Sequence, residues 1–217
     1  MNREKKGLDL KKIVSDHSAL VSFLVLFLVA VAVKGTTFLQ FNNIVNILRN
    51  NSIIGIIALG MTLIIITGGI DLSVGSQLAF LGVVVINVLV STQNVFAALL
   101  AGIGAALAVG FLTGFITAKF RVPAFITTLG TMSIYRSIGQ FWMNGGGITS
   151  NGDAGTAYIA ISNTSLFGVI PMPIIVWMVC AIVIFLFAEH TAAGRHIYAV
   201  GSGEKAAKLA GVNVIRI

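Results

Sequence analysis

An all-α, polytopic membrane bundle of about six transmembrane helices is the fold class this sequence predicts, and three observations predict it. Of the 217 residues 57% are hydrophobic and only 10% charged, where soluble domains carry about 25% charged residues to coat a water-facing surface. The mean hydropathy is +0.99. The apolar residues come in long continuous runs, not in the short alternating segments of a membrane barrel. Lipid offers no partner to a backbone N–H or C=O, so such runs must be helices that pair these groups internally. A soluble enzyme is excluded.

A crossing needs about 20 apolar residues, at about 1.5 Å per residue through about 30 Å of hydrocarbon. Ser18 to Val33 is the first charge-free run, bounded by His17 and Lys34, whose stem can snorkel outward. With its basic head and Ala30-Val31-Ala32 it also fits a cleaved signal peptide, but the spans that follow make a retained first helix the expectation. Asn50 to Ile70 is the second. Leu72 to Ala118 is too long for one crossing, and Ser91-Thr92-Gln93-Asn94 divides it into two. The fifth runs from Pro123 to about Asn144 and contains Arg136. Leu166 to Ala188 is the sixth, with Pro171 and Pro173 tolerated at a helix start. The chain thus divides into a basic segment 1–17, a transmembrane core 18–188 and a polar tail 189–217.

Basic residues set orientation. Arg3, Lys5, Lys6, Lys11 and Lys12 place the N-terminus in the cytoplasm. With six crossings Lys119, Arg121, Arg195, Lys205, Lys208 and Arg216 fall on the same side, while Lys34 and Arg49 lie outside and Arg136 lies in a span. An odd number of spans spoils this separation. The net charge of +7 is therefore read as orientation in lipid and not as a nucleic-acid footprint.

Few segments carry chemistry. In Thr67-Gly68-Gly69-Ile70-Asp71-Leu72-Ser73, Gly68 and Gly69 permit a sharp turn, and Asp71 or Ser73 can cap the next helix. The turn and cap are the first expectation; Asp71 close to an apolar boundary keeps a direct role in substrate passage as the second. On the fifth span Gly130, Ser133, Arg136, Ser137 and Gln140 share one face, ending near Asn144. Such a stripe shuns lipid and serves either as interhelical glue or as the wall of a passage. Gly110 and Gly114 make a small-xxx-small pair, for which close packing is the expectation. The outer loop from Gly145 to Ser165 reads as a flexible connector. His17, His190 and His196 show no metal-ligand spacing, no carboxylate pair suggests acid–base catalysis, and the lone Cys180 reads as a small core residue. No phosphate-cradling G-x-x-x-x-G-K-[ST] loop is present. In the tail, Ser202 before Glu204 marks a helix start and Gly211 a stop. Between them Ala206, Leu209 and Ala210 form a small apolar face beside Lys205 and Lys208. That face suits docking into a soluble partner better than lying on lipid.

In TGGIDLSVGS (Thr67 to Ser76), VPAFITTLGTMSIYRSIGQ (Val122 to Gln140) and GRHIYAVGSGEKAAKLAGVNV (Gly194 to Val214), the chain resembles the permease subunit of bacterial monosaccharide ABC importers. This is the ribose, xylose, arabinose and galactoside group. The resemblance implies a multi-pass protein of the bacterial inner membrane that pairs with a second permease subunit, identical or not. It implies a cytoplasmic ATPase subunit that holds the ATP, so that this chain binds no cofactor, and an extracytoplasmic sugar-binding protein that delivers substrate. It makes Glu204, Lys205, Ala206, Ala207, Lys208, Leu209 and Gly211 the helix that couples to the ATPase. The family's Glu-Ala-Ala, three residues, Gly pattern is matched at Ala206, Ala207 and Gly211, whereas Lys205 stands at the Glu position and Glu204 one residue early. Family members continue through further membrane helices, so a truncated chain is an expectation. An ion-coupled secondary transporter is the alternative, and it should place ionisable residues mid-membrane, where this sequence has only Arg136 and no acidic partner for it.

Overall fold

The computed structural model describes residues 17–150 and 152–217; the basic head expected in the cytoplasm lies almost wholly outside them. The chain divides into two compact units, residues 1–50 and 51–217.

In the first unit, helix α1 (Ser18–Lys34) has no buried residue. Lys34 sits in its last turn, where a cation meets the negative end of the helix dipole. A 3-10 turn follows at Gly35–Thr37, and Phe38 packs edge-on against Phe27 with ring centroids 5.5 Å apart. Helix α2 then starts at Phe41 and runs to Ile66, nine residues ahead of the apolar run that marks it in the sequence. Its 26 residues make about 39 Å of helix against about 30 Å of hydrocarbon. The surplus is the polar lead-in with Asn42, Asn43, Asn46 and Arg49. Hydropathy reports the lipid-facing part of a helix, not its length.

The second unit is built on an antiparallel meander of α3 (Val74–Thr92), α4 (Val95–Phe120) and α5 (Ala124–Trp142), with α3 packed against both others. The expected break at Ser91–Asn94 is tight. Gln93 takes a left-handed conformation at φ 52°, and Asn94 caps α4 by accepting from the backbone N–H of Ala97 at 3.1 Å. Tyr135 and Thr113 join α5 to α4 through a buried hydroxyl pair 3.0 Å apart. Phe80 of α3 stacks on Tyr135 and tilts against Trp142.

The stretch expected as a loose connector instead holds helix α6 (Asp153–Asn163) and a two-residue hairpin, β1 (Ser165–Leu166) against β2 (Ile170–Pro171). Asp153 in the first turn of α6 suits the helix dipole. Leu166, read as the start of the sixth span, belongs to that hairpin, and helix α7 begins at Met172 and ends at His190. Its indole Trp177 lies against the backbone of α2 at Gly55, where any side chain would collide with it. Two short helices finish the chain, α8 (Ala192–Ser202) and α9 (Glu204–Leu209).

Among the described residues five helices are long and apolar enough to cross a membrane: α1 with its 3-10 extension, α2, α3, α4 and α7. The remaining expected span, the fifth, is present as the 19-residue helix α5 but carries too many Thr, Ser, Arg and Gln residues to qualify by apolarity. It earns its place by packing. The result is an all-α polytopic membrane bundle.

Candidate functional site

The motif turn between α2 and α3 is an ordered structure. Gly68, at φ +82°, sends its N–H to Ile65 O at 2.9 Å, and Gly69 sends its own to Ile64 O at 3.0 Å. This paired closure of a helix end requires the left-handed residue that glycine supplies. Asp71 Oδ1 accepts from the backbone N–H of Ser73 at 2.7 Å and from its hydroxyl at 2.6 Å. Ser73 Oγ in turn accepts from Gln77 Nε2 at 2.6 Å, and Ser76 Oγ donates to Ser73 O. Ser73 occupies the N-cap position of α3 but caps nothing with its side chain. Asp71 holds Ser73, and Ser73 holds Gln77.

Thr128 fastens this turn to α5. Its hydroxyl accepts from Leu72 N at 3.1 Å and lies 3.3 Å from Ile70 O. Thr128 is only 3% exposed and is the fifth residue of α5, so α3 starts about one turn inside the end of α5. Neither Thr128 nor Gln77 stands out in the sequence as a partner of the motif turn. The only cue is that Gln77 follows Ser73 at helical spacing.

Helix α5 has two polar faces. Thr127, Thr128, Thr131, Tyr135 and Gly139 are buried. Gly130, Ser133, Arg136, Ser137 and Gln140 are all exposed. The structure separates the four residues assigned to a passage. Arg136 and Gln140 line a groove of about 860 Å³ between α3 and α5, together with Gly75, Ser76, Phe80 and Asn144. Ser133 and Ser137 lie outside it, and the Ser133 hydroxyl bonds back to Leu129 O. Gly110 and Gly114 face open space, so among the described residues nothing makes the close packing expected of them.

The tail forms a platform at the same end of the bundle as the motif turn. Thr191 caps α8, accepting from Gly194 N at 3.0 Å while donating to Phe187 O of α7. Near the far end of α8, Gly201 lies so close to the Ile66 carbonyl, the last residue of α2, that any Cβ there would clash. Gly203 separates α8 from α9. Gly211, at φ +86°, closes α9 with the same double bond pattern as Gly68, Gly211 N to Lys208 O and Val212 N to Ala207 O. The apolar face expected at Ala206, Leu209 and Ala210 faces outward: Leu209 is 91% exposed, while Ala207 is 4% exposed and anchors the helix. Glu204, Lys205 and Lys208 are exposed beside Leu209.

Residues 43–217 match the family described as branched-chain amino acid transport system / permease component. The chain belongs to this permease family. Among this permease's relatives, the ribose import permease protein RbsC of Escherichia coli (strain K12) is 36% identical over 211 residues, covering 93% of this chain and 63% of that protein. The RbsC of Haemophilus influenzae is 33% identical over 218 residues, covering 100% of this chain and 67% of its own length. The L-arabinose transport system permease protein AraH of Escherichia coli (strain K12) is 33% identical over 212 residues, covering 98% and 63%. The permease thus spans about two thirds of the length of these relatives. No solved structure gives a significant match.

Proposed function

We propose that this permease is the membrane-spanning subunit of an ATP-driven importer for a monosaccharide. The observation that carries the reading is the platform α8–α9. It presents Leu209 to water beside Lys205 and Lys208, and it abuts α2 at the Gly201–Ile66 contact. An apolar side chain so fully exposed and flanked by cations is suited to the surface of a soluble partner. That partner is a cytoplasmic ATPase subunit, which holds the ATP; the permease itself binds no cofactor. The ribose and L-arabinose permeases among its relatives favour a sugar such as ribose over the branched-chain amino acids for which the wider family is named.

The N-terminus lies in the cytoplasm. The motif turn and residues 191–217 then face the ATPase, and the C-terminal end of α5 faces outward, where an extracytoplasmic binding protein delivers substrate. The exposed polar stripe Ser133, Arg136, Ser137 and Gln140 forms a wall of the passage, completed by a second permease subunit, because such a face is costly against lipid. The test is uptake of labelled ribose into proteoliposomes holding the permease, its ATPase and its binding protein. ATP-dependent uptake that survives an ionophore is expected. Uptake driven by an ion gradient without ATP would overturn the reading in favour of a secondary transporter.

A further inference from the structure

The groove between α3 and α5 has two unlike walls. On α5, Arg136 and Gln140 stand one turn apart, about 6 Å along the groove, and Asn144, left-handed just past the end of the helix, adds a second amide at its rim. On α3, Ala79, Phe80 and Val83 form an apolar wall. The Phe80 ring is held on two sides, its centroid 5.8 Å from that of Tyr135 and 5.7 Å from that of Trp142. The floor is made by Gly75 and Ser76, small residues one hydrogen bond from the motif turn through Ser76 Oγ and Ser73 O. The volume falls in the range of about 300–1,000 Å³ usual for small-molecule sites.

We propose that this groove receives one uncharged monosaccharide ring, its hydroxyls on Arg136, Gln140 and Asn144 and its C–H face on Phe80. A sugar is itself two-sided, with hydroxyls at its edge and an apolar face, and it matches a groove with one wall of each kind. No carboxylate lines the groove, so a cation finds no counter-charge and a metal ion no hard ligand. A purely apolar solute leaves three polar side chains unpaired, a loss that a site built to hydrogen-bond makes large. This inference rests on the importer reading above.

The experiment uses the permease assembled with its ATPase and binding protein in proteoliposomes, with Cys180 replaced by Ala. Single cysteines are placed by Gln140→Cys, Asn144→Cys and, outside the groove, Ile134→Cys. The first two should react with a charged, water-borne thiol reagent and be slowed about threefold or more by saturating ribose or arabinose, while the third stays unreactive. Gln140→Ala with Asn144→Ala, and separately Phe80→Ala, should lower sugar uptake about tenfold while ATP hydrolysis stimulated by the binding protein stays within about twofold. Unreactive cysteines at 140 and 144, or wild-type uptake in both alanine variants, would overturn this inference and leave the importer reading standing. An unsubstituted assembly that moves neither sugar overturns both.

Discussion

The backbone N–H of Leu72 and the hydroxyl of Thr128 are joined at 3.1 Å across fifty-six residues of sequence. A single buried side chain thereby ties the turn between α2 and α3 to the first turns of α5. Through Ser73 and Gln77 the same turn is tied to α3, so the groove's two walls share one fastening at their base.

Replacing Thr128 by Val keeps the shape and strands the Leu72 N–H. A buried donor left without a partner costs about 1–3 kcal/mol; this bond is only part-buried, so a smaller but measurable fall in the melting temperature of the purified permease is expected. Thr128→Ser should restore it. Equal melting temperatures for all three proteins would show that the fastening carries no stability.

Asp71→Ala removes the acceptor of two short hydrogen bonds. Bonds to a charged acceptor contribute about 1.5–3 kcal/mol each, discounted here because Asp71 is only half-buried. Folding yield or transport should drop, and Asp71→Asn, which keeps an acceptor oxygen, should retain more of both. Wild-type expression and uptake in the alanine variant would dismiss the structural and the transport reading of this turn together.

Leu209→Asp, or Lys205→Glu with Lys208→Glu, should weaken association with the ATPase about tenfold or more, as loss of an interface anchor does. These side chains are exposed, so stability should change by less than about 0.5 kcal/mol. Co-purification from detergent measures the first and a melting curve the second. Undiminished co-purification counts against the platform as the docking site.

Gly201→Val forces a branched side chain against the Ile66 carbonyl. Overpacking of this kind costs about 1–3 kcal/mol, and the displaced α8 should lower ATPase association as well as melting temperature. A variant that behaves as wild type in both would show that the two backbones move apart freely.

A cysteine introduced at Lys205 should be labelled by an impermeant reagent from the cytoplasmic side only. Labelling from the outside of intact cells reverses the proposed orientation.

What the sequence made legible follows from what single residues can do. Gly68 and Gly211 were readable because a left-handed helix end accepts few other residues, whereas Asn94 showed only as part of a polar break and its capping role came from the structure. The start of α2 was hidden: Asn42, Asn43 and Asn46 are poor marks of a membrane span yet sit readily in a helix that projects past the lipid. Helix α6 was hidden because its Ala, Thr and Ser residues show no long apolar run. The polar stripe of α5 was visible, but its direction was not. Thr127, Thr128 and Thr131 make the opposite side polar too, and only packing against α3 and α4 decides which is buried. The partnership of Thr128 with Leu72 has no local signal at all.

Helix α1 buries none of its residues, so apart from the Phe27–Phe38 contact its side chains answer chiefly to the thickness of the surrounding membrane. Substitutions among Leu, Val and Ile along Ser18–Lys34, Phe27 excepted, should therefore pass without consequence for assembly. A foreign apolar segment of equal reach should serve in its stead, a freedom that α5, with both flanks committed, does not have.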